Sequence, residues 1–268
     1  MTTTAAARPA ASGLSDAAFG DCPGRWPLPA ARTPHELWLR AVAAGGQGRY
    51  GSALADLAAV LRHDARGPVA SLAYSTRASF LRQLGWHDRA RTWDGKAWAL
   101  AGADEEAGVD ALIGLAADAL GVGRFAASGR ALERARELLT DSAPARLDVR
   151  LAWVSGELAM AQGDRLAVAH AERAVELAAA VGSARHAVKS DVILAAAACC
   201  AGDMERSRHV ADTALAASDR LGLIPLRWAL ACLLADIGSA AHSAADVLRI
   251  RNECAATVRR RGGAYPDR

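Results

Sequence analysis

The chain has 268 residues, of which 52% are hydrophobic and 23% are charged, and its formal net charge is +3. This length can bury a sizeable core, and the composition is typical of a soluble globular protein. So small a charge excess gives no argument for nucleic acid, and no apolar run reaches the roughly 20 residues that span a bilayer. Alanine is abundant while β-branched and aromatic residues are scarce, which favours helices over strands.

The cysteines and the start of the chain bear on the compartment. The 5 cysteines form no CxxC pair, as is typical of reduced thiols in a cytoplasm. Residues 1–13 have neither the basic lead nor the apolar core of a secretory signal. Lys96 and Lys189 are the only lysines and Asn252 is the only asparagine, a bias that indicates a GC-rich genome. We therefore expect a cytoplasmic, bacterial protein.

Residues 1–32 form the first segment. Prolines and glycines recur along it, so we predict a flexible tail rich in Pro, Gly and Ala that forms no long helix. The same segment carries Phe19 and Trp26, large apolar groups that a solvated tail does not need. These aromatics support an alternative in which the segment lies in a groove of the protein itself.

The helical part is predicted to begin at Thr33. This residue can cap the first free backbone N–H groups, Pro34 suits the first helical position, and Glu36 completes a capping box. Proline inside a helix costs about 3 kcal/mol, so we place element boundaries at the later prolines, which are Pro68, Pro144, Pro225 and Pro266.

An internal period follows. Glycines recur at intervals of 37 to 40 residues, each between two helical stretches: Gly48, Gly85, Gly123, Gly163 and Gly202. A small residue stands seven positions before each glycine, and an apolar residue stands four positions before it. Two helices joined by a tight turn need small residues where they cross and a glycine where the chain reverses. The pattern predicts repeated helix pairs, although the second pair has an unexpected Asp94 in an otherwise apolar slot.

Three segments resemble tetratricopeptide repeats: Gly48-Arg49-Tyr50 with Ala53, Tyr74 through Ala78, Leu81, Gly85 and Ala90, and Gly123-Arg124-Phe125 with Ala135. The resemblance covers roughly residues 34–216. It implies an all-α, right-handed superhelical solenoid of about five TPR-like helix–turn–helix repeats plus C-terminal capping helices. The units exceed the usual length of about 34 residues, which implies extended second helices or longer loops, and no closing proline ends each unit.

The predicted organisation has four parts: a tail over 1–32, a TPR-like array over 33–223, capping helices over 224–262 and a short tail over 263–268. Within the third part, residues 225–238 and 244–261 are predicted to be two helices, which form a degenerate last pair.

No catalytic, cofactor or metal site is predicted. Residues 46–51 match GxGxxG, but a helix rather than a strand precedes them, and Gly48 is already explained as a repeat turn. HExxH, GxSxG and P-loop motifs do not occur, and the histidines are scattered without ligand spacing. We therefore expect a protein that is not an enzyme.

The resemblance implies that the first helix of each pair lines a concave groove. The candidate groove residues are Trp38, Ser79, Arg82, Asp110, Ile113, Trp153, Glu157, Met160, Lys189 and Val192. The family's carboxylate clamp is not carried over, because its places hold Trp38, Val42, Ser75 and Ser79. This mixture suits an amphipathic helix or an extended apolar segment. For Trp38 and Trp153, packing between repeats is an equally good interpretation.

Three functions follow as hypotheses. The first is a non-catalytic scaffold or adaptor that binds a peptide or protein helix in the groove. The second is a self-capped or ligand-sensing regulatory repeat domain. In the third, the basic C-terminal end, Arg259 to Arg261, contacts nucleic acid. A last helical turn also prefers cations, however, and no interleaved aromatics support base stacking. Formation of a homodimer is a further hypothesis.

Overall fold

The computed structural model describes residues 10–266, and within them it contains thirteen α-helices and no strand. The all-α prediction is therefore confirmed. The helices are α1 (Ala10–Phe19), α2 (Pro34–Gly46), α3 (Tyr50–His63), α4 (Gly67–Gln83), α5 (His87–Ala101), α6 (Glu105–Gly121), α7 (Phe125–Leu138), α8 (Arg146–Gln162), α9 (Ala167–Val181), α10 (Ala184–Cys200), α11 (Met204–Arg220), α12 (Ile224–Ile237) and α13 (Ala244–Arg260). No helix in the described part is both long and apolar enough to cross a membrane.

From α2 onwards the helices pack in consecutive pairs. Each even-numbered helix contacts the odd-numbered helix that follows it, from α2 with α3 to α12 with α13. The even-numbered helices also contact one another in order, α2 with α4, α4 with α6, and so on to α10 with α12. They form one inner layer, and this layer carries all of the candidate groove residues.

The local signals read from the sequence appear where they were expected. Thr33 caps α2, its hydroxyl accepts from the backbone N–H of Glu36, and the Glu36 carboxylate accepts from the backbone N–H of Thr33. Every predicted turn glycine lies between paired helices in the left-handed region, with φ from 66° to 90°. Gly48, at φ 72°, closes the α2–α3 turn, and any side chain there would be strained.

The long repeat period has more than one source. The first helices α4, α6, α8 and α10 each span 17 residues, whereas α3, α5, α7 and α9 span 14 or 15. The loop over 139–145, between α7 and α8, agrees with the prediction of longer loops, and the 17-residue α11 agrees with an extended second helix. The first helices add length that the prediction did not include.

The N-terminal segment also differs from the prediction of a flexible tail. No proline falls between residues 10 and 22, and α1 forms there, with Leu14, Ala17 and Ala18 fully buried against α2. The coil after α1 is bonded to the array, since the backbone N–H of Ala184 in α10 donates to the carbonyl of Gly20 at 3.1 Å. The part of the predicted tail over 1–9 lies outside the described residues.

The C-terminal helices match the prediction to within about one residue at each end, as α12 and α13. Their role is broader than capping the last pair, because the end of α13 reaches the first one. The backbone N–H of Gly51 donates to the carbonyl of Arg261 at 2.8 Å, and Val258 is buried in the core of the first pairs. The Trp86 indole donates to the carbonyl of Ala264 at 2.7 Å. The two ends of the helical array are therefore in contact.

Candidate functional site

The inner layer borders an interior cavity of about 690 Å³. Side chains from α2, α4, α6, α8 and α10 form most of its wall, Phe19 of α1 borders it from the N-terminal segment, and Leu226 and Trp228 of α12 border it from the other end of the array. All of the candidate groove residues line this cavity: Trp38, Ser79, Arg82, Asp110, Ile113, Trp153, Glu157, Met160, Lys189 and Val192.

The two candidate tryptophans also join neighbouring pairs. The Trp38 indole N–H donates to the Thr76 hydroxyl of α4 at 2.9 Å. The Trp153 indole N–H donates to the Ser190 hydroxyl of α10 at 2.8 Å. Because these hydrogen bonds satisfy the polar edge of each ring, the apolar faces remain for contacts with the cavity. Packing between pairs and lining the cavity are therefore compatible roles.

Arg82 is committed to a buried ion cluster. Its guanidinium contacts the carboxylates of Asp94 and Asp118, both of which are fully buried, at 3.0 Å in the case of Asp118. This explains the unexpected Asp94 in the second pair. A Cβ at Gly114 would lie 2.5 Å from the Asp94 carboxyl, so the glycine makes room for it. Burial, together with Asp118, raises the pKa of Asp94 to about 8 against the opposing effect of Arg82.

A second cluster surrounds Asp110. One of its oxygens accepts from Arg146 at 3.1 Å and forms an ion pair with Arg150 at 2.7 Å, and Arg146 also pairs with Glu106 at 2.7 Å. Burial opposes ionisation of Asp110, but Arg150 and Arg146 hold its pKa below the ordinary value. This carboxylate is therefore charged and is shared between two cations. Lys189 makes a separate pair with Glu157 at 3.2 Å.

Arg185 lines the same cavity, and the described part of the chain supplies it with no counter-ion. Its Nε is buried and has no hydrogen-bond partner, and no carboxylate within residues 10–266 forms an ion pair with it. Burial, and then the charges of Arg150 and Arg146, lower the pKa of Arg185 to about 10. The centre of the Phe19 ring lies near two guanidinium groups, 4.9 Å from Cζ of Arg146 and 5.8 Å from Cζ of Arg185. The guanidinium groups therefore converge on one side of the cavity.

His186 completes this side as a neutral group. Its ring stacks on Trp153, with the ring centres 5.1 Å apart, and Nδ1 lies 2.8 Å from the Ser183 hydroxyl. Burial, followed by the charges of Arg185, Arg146 and Arg150, lowers the pKa of His186 well below its ordinary value. A neutral imidazole is consistent with a local field that already has excess positive charge.

Sequence reasoning missed the arginines of the site. Arg146 and Arg150 lie four residues apart on α8, and Trp153, Glu157 and Met160 continue the same helical stripe. Extending the candidate stripe by two turns towards the start of α8, and by one turn on α10, would have included Arg146, Arg150 and Arg185. Nothing local in the sequence marks Arg185 as unpaired, since its neighbours come from other helices.

The described residues contain no group of three or more His, Cys, Asp or Glu side chains placed to hold a metal ion. The site combines an apolar, aromatic wall with a cluster of convergent cations, which is chemistry suited to binding. Comparisons with protein-family models and with curated proteins found no match for this chain.

Proposed function

We propose that this protein is a non-catalytic, ligand-sensing regulatory domain whose interior cavity binds a small molecule. The single observation that carries the proposal is the convergence of the candidate groove residues on one cavity. All of them line a partly open cavity of about 690 Å³, with Phe19 of the N-terminal segment and Trp228 of α12 at its borders. Cavities of a few hundred to about 1,000 Å³ are typical of small-molecule sites.

The finer fold belongs to the same proposal. We take the helix pairs to be about five TPR-like repeats in a right-handed superhelix, with α12 and α13 as the capping pair. The regular turn glycines and the ordered contacts among the even-numbered helices support this arrangement. The contact between the two ends of the array belongs to the same arrangement.

The position of Phe19 favours a small ligand over a partner helix. A helix with its side chains is about 10–12 Å wide, so it would need the space beside Trp38 that Phe19 occupies. An adaptor that binds a helix in the groove is the second candidate, and it requires the N-terminal segment to leave first. The position of Phe19 against Trp38, with ring centres 5.6 Å apart, is the contact that a partner helix would replace.

The nucleic-acid alternative has less support. Arg261 donates to the carbonyl of Gln47, Arg249 pairs with Asp246 and Glu253 on its own helix, and Arg259 lies over the Tyr265 ring at 5.6 Å. These contacts occupy much of the basic end that would have to face phosphate groups.

Binding of the dye 8-anilinonaphthalene-1-sulfonate tests the proposal, because its fluorescence rises in water-poor apolar sites. We expect saturable binding of one dye per chain, and a loss of about tenfold or more in affinity when Val192→Trp fills the cavity. Leu166→Trp is the matched control, since Leu166 is 56% exposed outside the cavity. Absence of saturable binding, or equal affinity for the two variants at equal thermal stability, would overturn the proposal.

A further inference from the structure

We infer that the ligand of the cavity is an amphipathic organic acid whose anionic group lies among Arg185, Arg150 and Arg146. Its apolar body lies along the aromatic wall formed by Trp153, Trp38 and the side chains beside them. This inference rests on the proposed function and names the ligand class for the same site.

The balance of charges points to an anion. Within residues 10–266, the ion pairs of this group of three arginines, Arg146, Arg150 and Arg185, involve two carboxylates, those of Asp110 and Glu106. Both carboxylates are already engaged by Arg146 and Arg150. The remaining cation, Arg185, contributes a net positive charge on this side of the cavity. Arg185 is partly buried and its Nε is fully buried, and a cation held partly out of water gains from an opposite charge that replaces the lost solvent.

The position of Arg185 suits contact with a ligand. A Cβ at Gly46 would lie 3.0 Å from Cδ of Arg185, so its aliphatic stem packs closely over α2. Its guanidinium borders the cavity and lies near the Phe19 ring. A planar guanidinium held by its stem can offer two parallel N–H groups to a carboxylate or phosphate. The buried Nε, which has no acceptor within residues 10–266, is one such donor.

The rest of the cavity suits an apolar body. The wall includes Trp38, Ile113, Trp153, Met160 and Val192, with Leu226 and Trp228 at the far border. The indole N–H groups of Trp38 and Trp153 are already bonded to hydroxyls of the protein. The surfaces that remain are apolar, and they gain from covering a hydrocarbon chain or ring.

Calorimetric titration of the full chain with matched pairs of probes tests the inference. The acids are decanoate, indole-3-acetate and decyl phosphate, and the neutral partners are decanol and indole-3-acetamide. Charge-assisted hydrogen bonds contribute about 1.5–3 kcal/mol, so we expect each acid to bind at least about tenfold more tightly than its neutral partner. Comparison of decanoate with decyl phosphate identifies the preferred head group.

Arg185→Gln is the test variant, and Arg185→Lys is the conservative variant that keeps the charge. Arg173→Gln on α9 is the control, since Arg173 is exposed and, within the described residues, pairs with Glu176 of its own helix. We expect Arg185→Gln to remove the preference for acids while binding of the neutral probes persists, Arg185→Lys to restore part of it, and Arg173→Gln to leave it unchanged. Equal binding of acids and neutral partners by the wild-type chain would overturn the inference and leave the proposed function standing. If no probe binds, both fail.

Discussion

The guanidinium of Arg261 donates a hydrogen bond of 2.7 Å to the backbone carbonyl of Gln47, which joins the end of α13 to the first turn of the array. The Gln47 side chain in turn donates to the carbonyls of Pro23 and Arg25, at 2.8 and 2.9 Å. One buried residue therefore holds together the N-terminal segment, the first helix pair and the last helix.

Loss of the Arg261 contact should loosen the junction. We expect Arg261→Gln to lower the free energy of unfolding by about 1.5–3 kcal/mol, as for the loss of one charge-assisted hydrogen bond. Urea unfolding followed by circular dichroism measures this free energy for the wild type and the variant. Arg260→Gln is the matched control, because Arg260 bonds only to Thr257 of its own helix. Equal destabilisation by the two variants would mean that the contact between the ends contributes nothing specific.

The N-terminal helix should contribute measurably to stability. Leu14 is fully buried in α1, so Leu14→Ala removes apolar contacts and leaves a cavity, at a cost of about 2–3 kcal/mol. Ser15→Ala, at an exposed position of the same helix, should change little. Thermal unfolding of both variants and of a chain lacking residues 1–32 checks this. A truncated chain with wild-type stability would contradict the packing of this segment against the array.

Two glycine-to-alanine substitutions should change the free energy of unfolding in opposite directions. Glycine within a helix usually costs about 0.5–1 kcal/mol relative to alanine, so Gly95→Ala in α5, where nothing lies within 4 Å of the added Cβ, should be stabilising by that amount. In Gly114→Ala the added Cβ would lie 2.5 Å from the Asp94 carboxyl. We expect a loss of about 1–3 kcal/mol there. Denaturant unfolding curves compare the two, and stabilisation by Gly114→Ala would contradict the buried ion cluster.

His186 should make the fold acid-sensitive. Its pKa in the folded chain lies well below the 6.5 of an ordinary histidine, so below pH 6.5 the unfolded chain takes up a proton that the folded chain rejects. Stability from this residue is therefore present above pH 6.5 and is lost as the pH falls, by up to about 1.4 kcal/mol per pH unit.

We expect His186→Gln to lose less stability than the wild type between pH 6.5 and about pH 5. His63→Gln, at an exposed position, is the control and should follow the wild-type slope. Unfolding free energies measured across this range provide the comparison. Identical slopes for wild type and His186→Gln would show that the imidazole is not held neutral.

The helix pairs could be read from the sequence because their signals are local. A left-handed turn requires glycine, a capping box needs Thr33 and Glu36 three residues apart, and a buried stripe recurs every three or four residues. Each of these depends on residues within about one helix pair. The candidate residues from Trp38 to Val192 follow from the resemblance to tetratricopeptide repeats rather than from a local pattern, and they line the cavity.

What the tertiary structure decided is which distant groups become neighbours. Whether α1 packs on α2, whether Arg261 reaches Gln47, and whether Arg82 meets Asp94 and Asp118 all depend on contacts between separate helices. The state of Arg185 is the clearest case. Its residue type is visible in the sequence, but its lack of a counter-ion within residues 10–266 arises because folding leaves it beside Arg150 and Arg146 with the nearby carboxylates already paired. Charge neutralisation is a property of the assembled neighbourhood, and no local pattern encodes it.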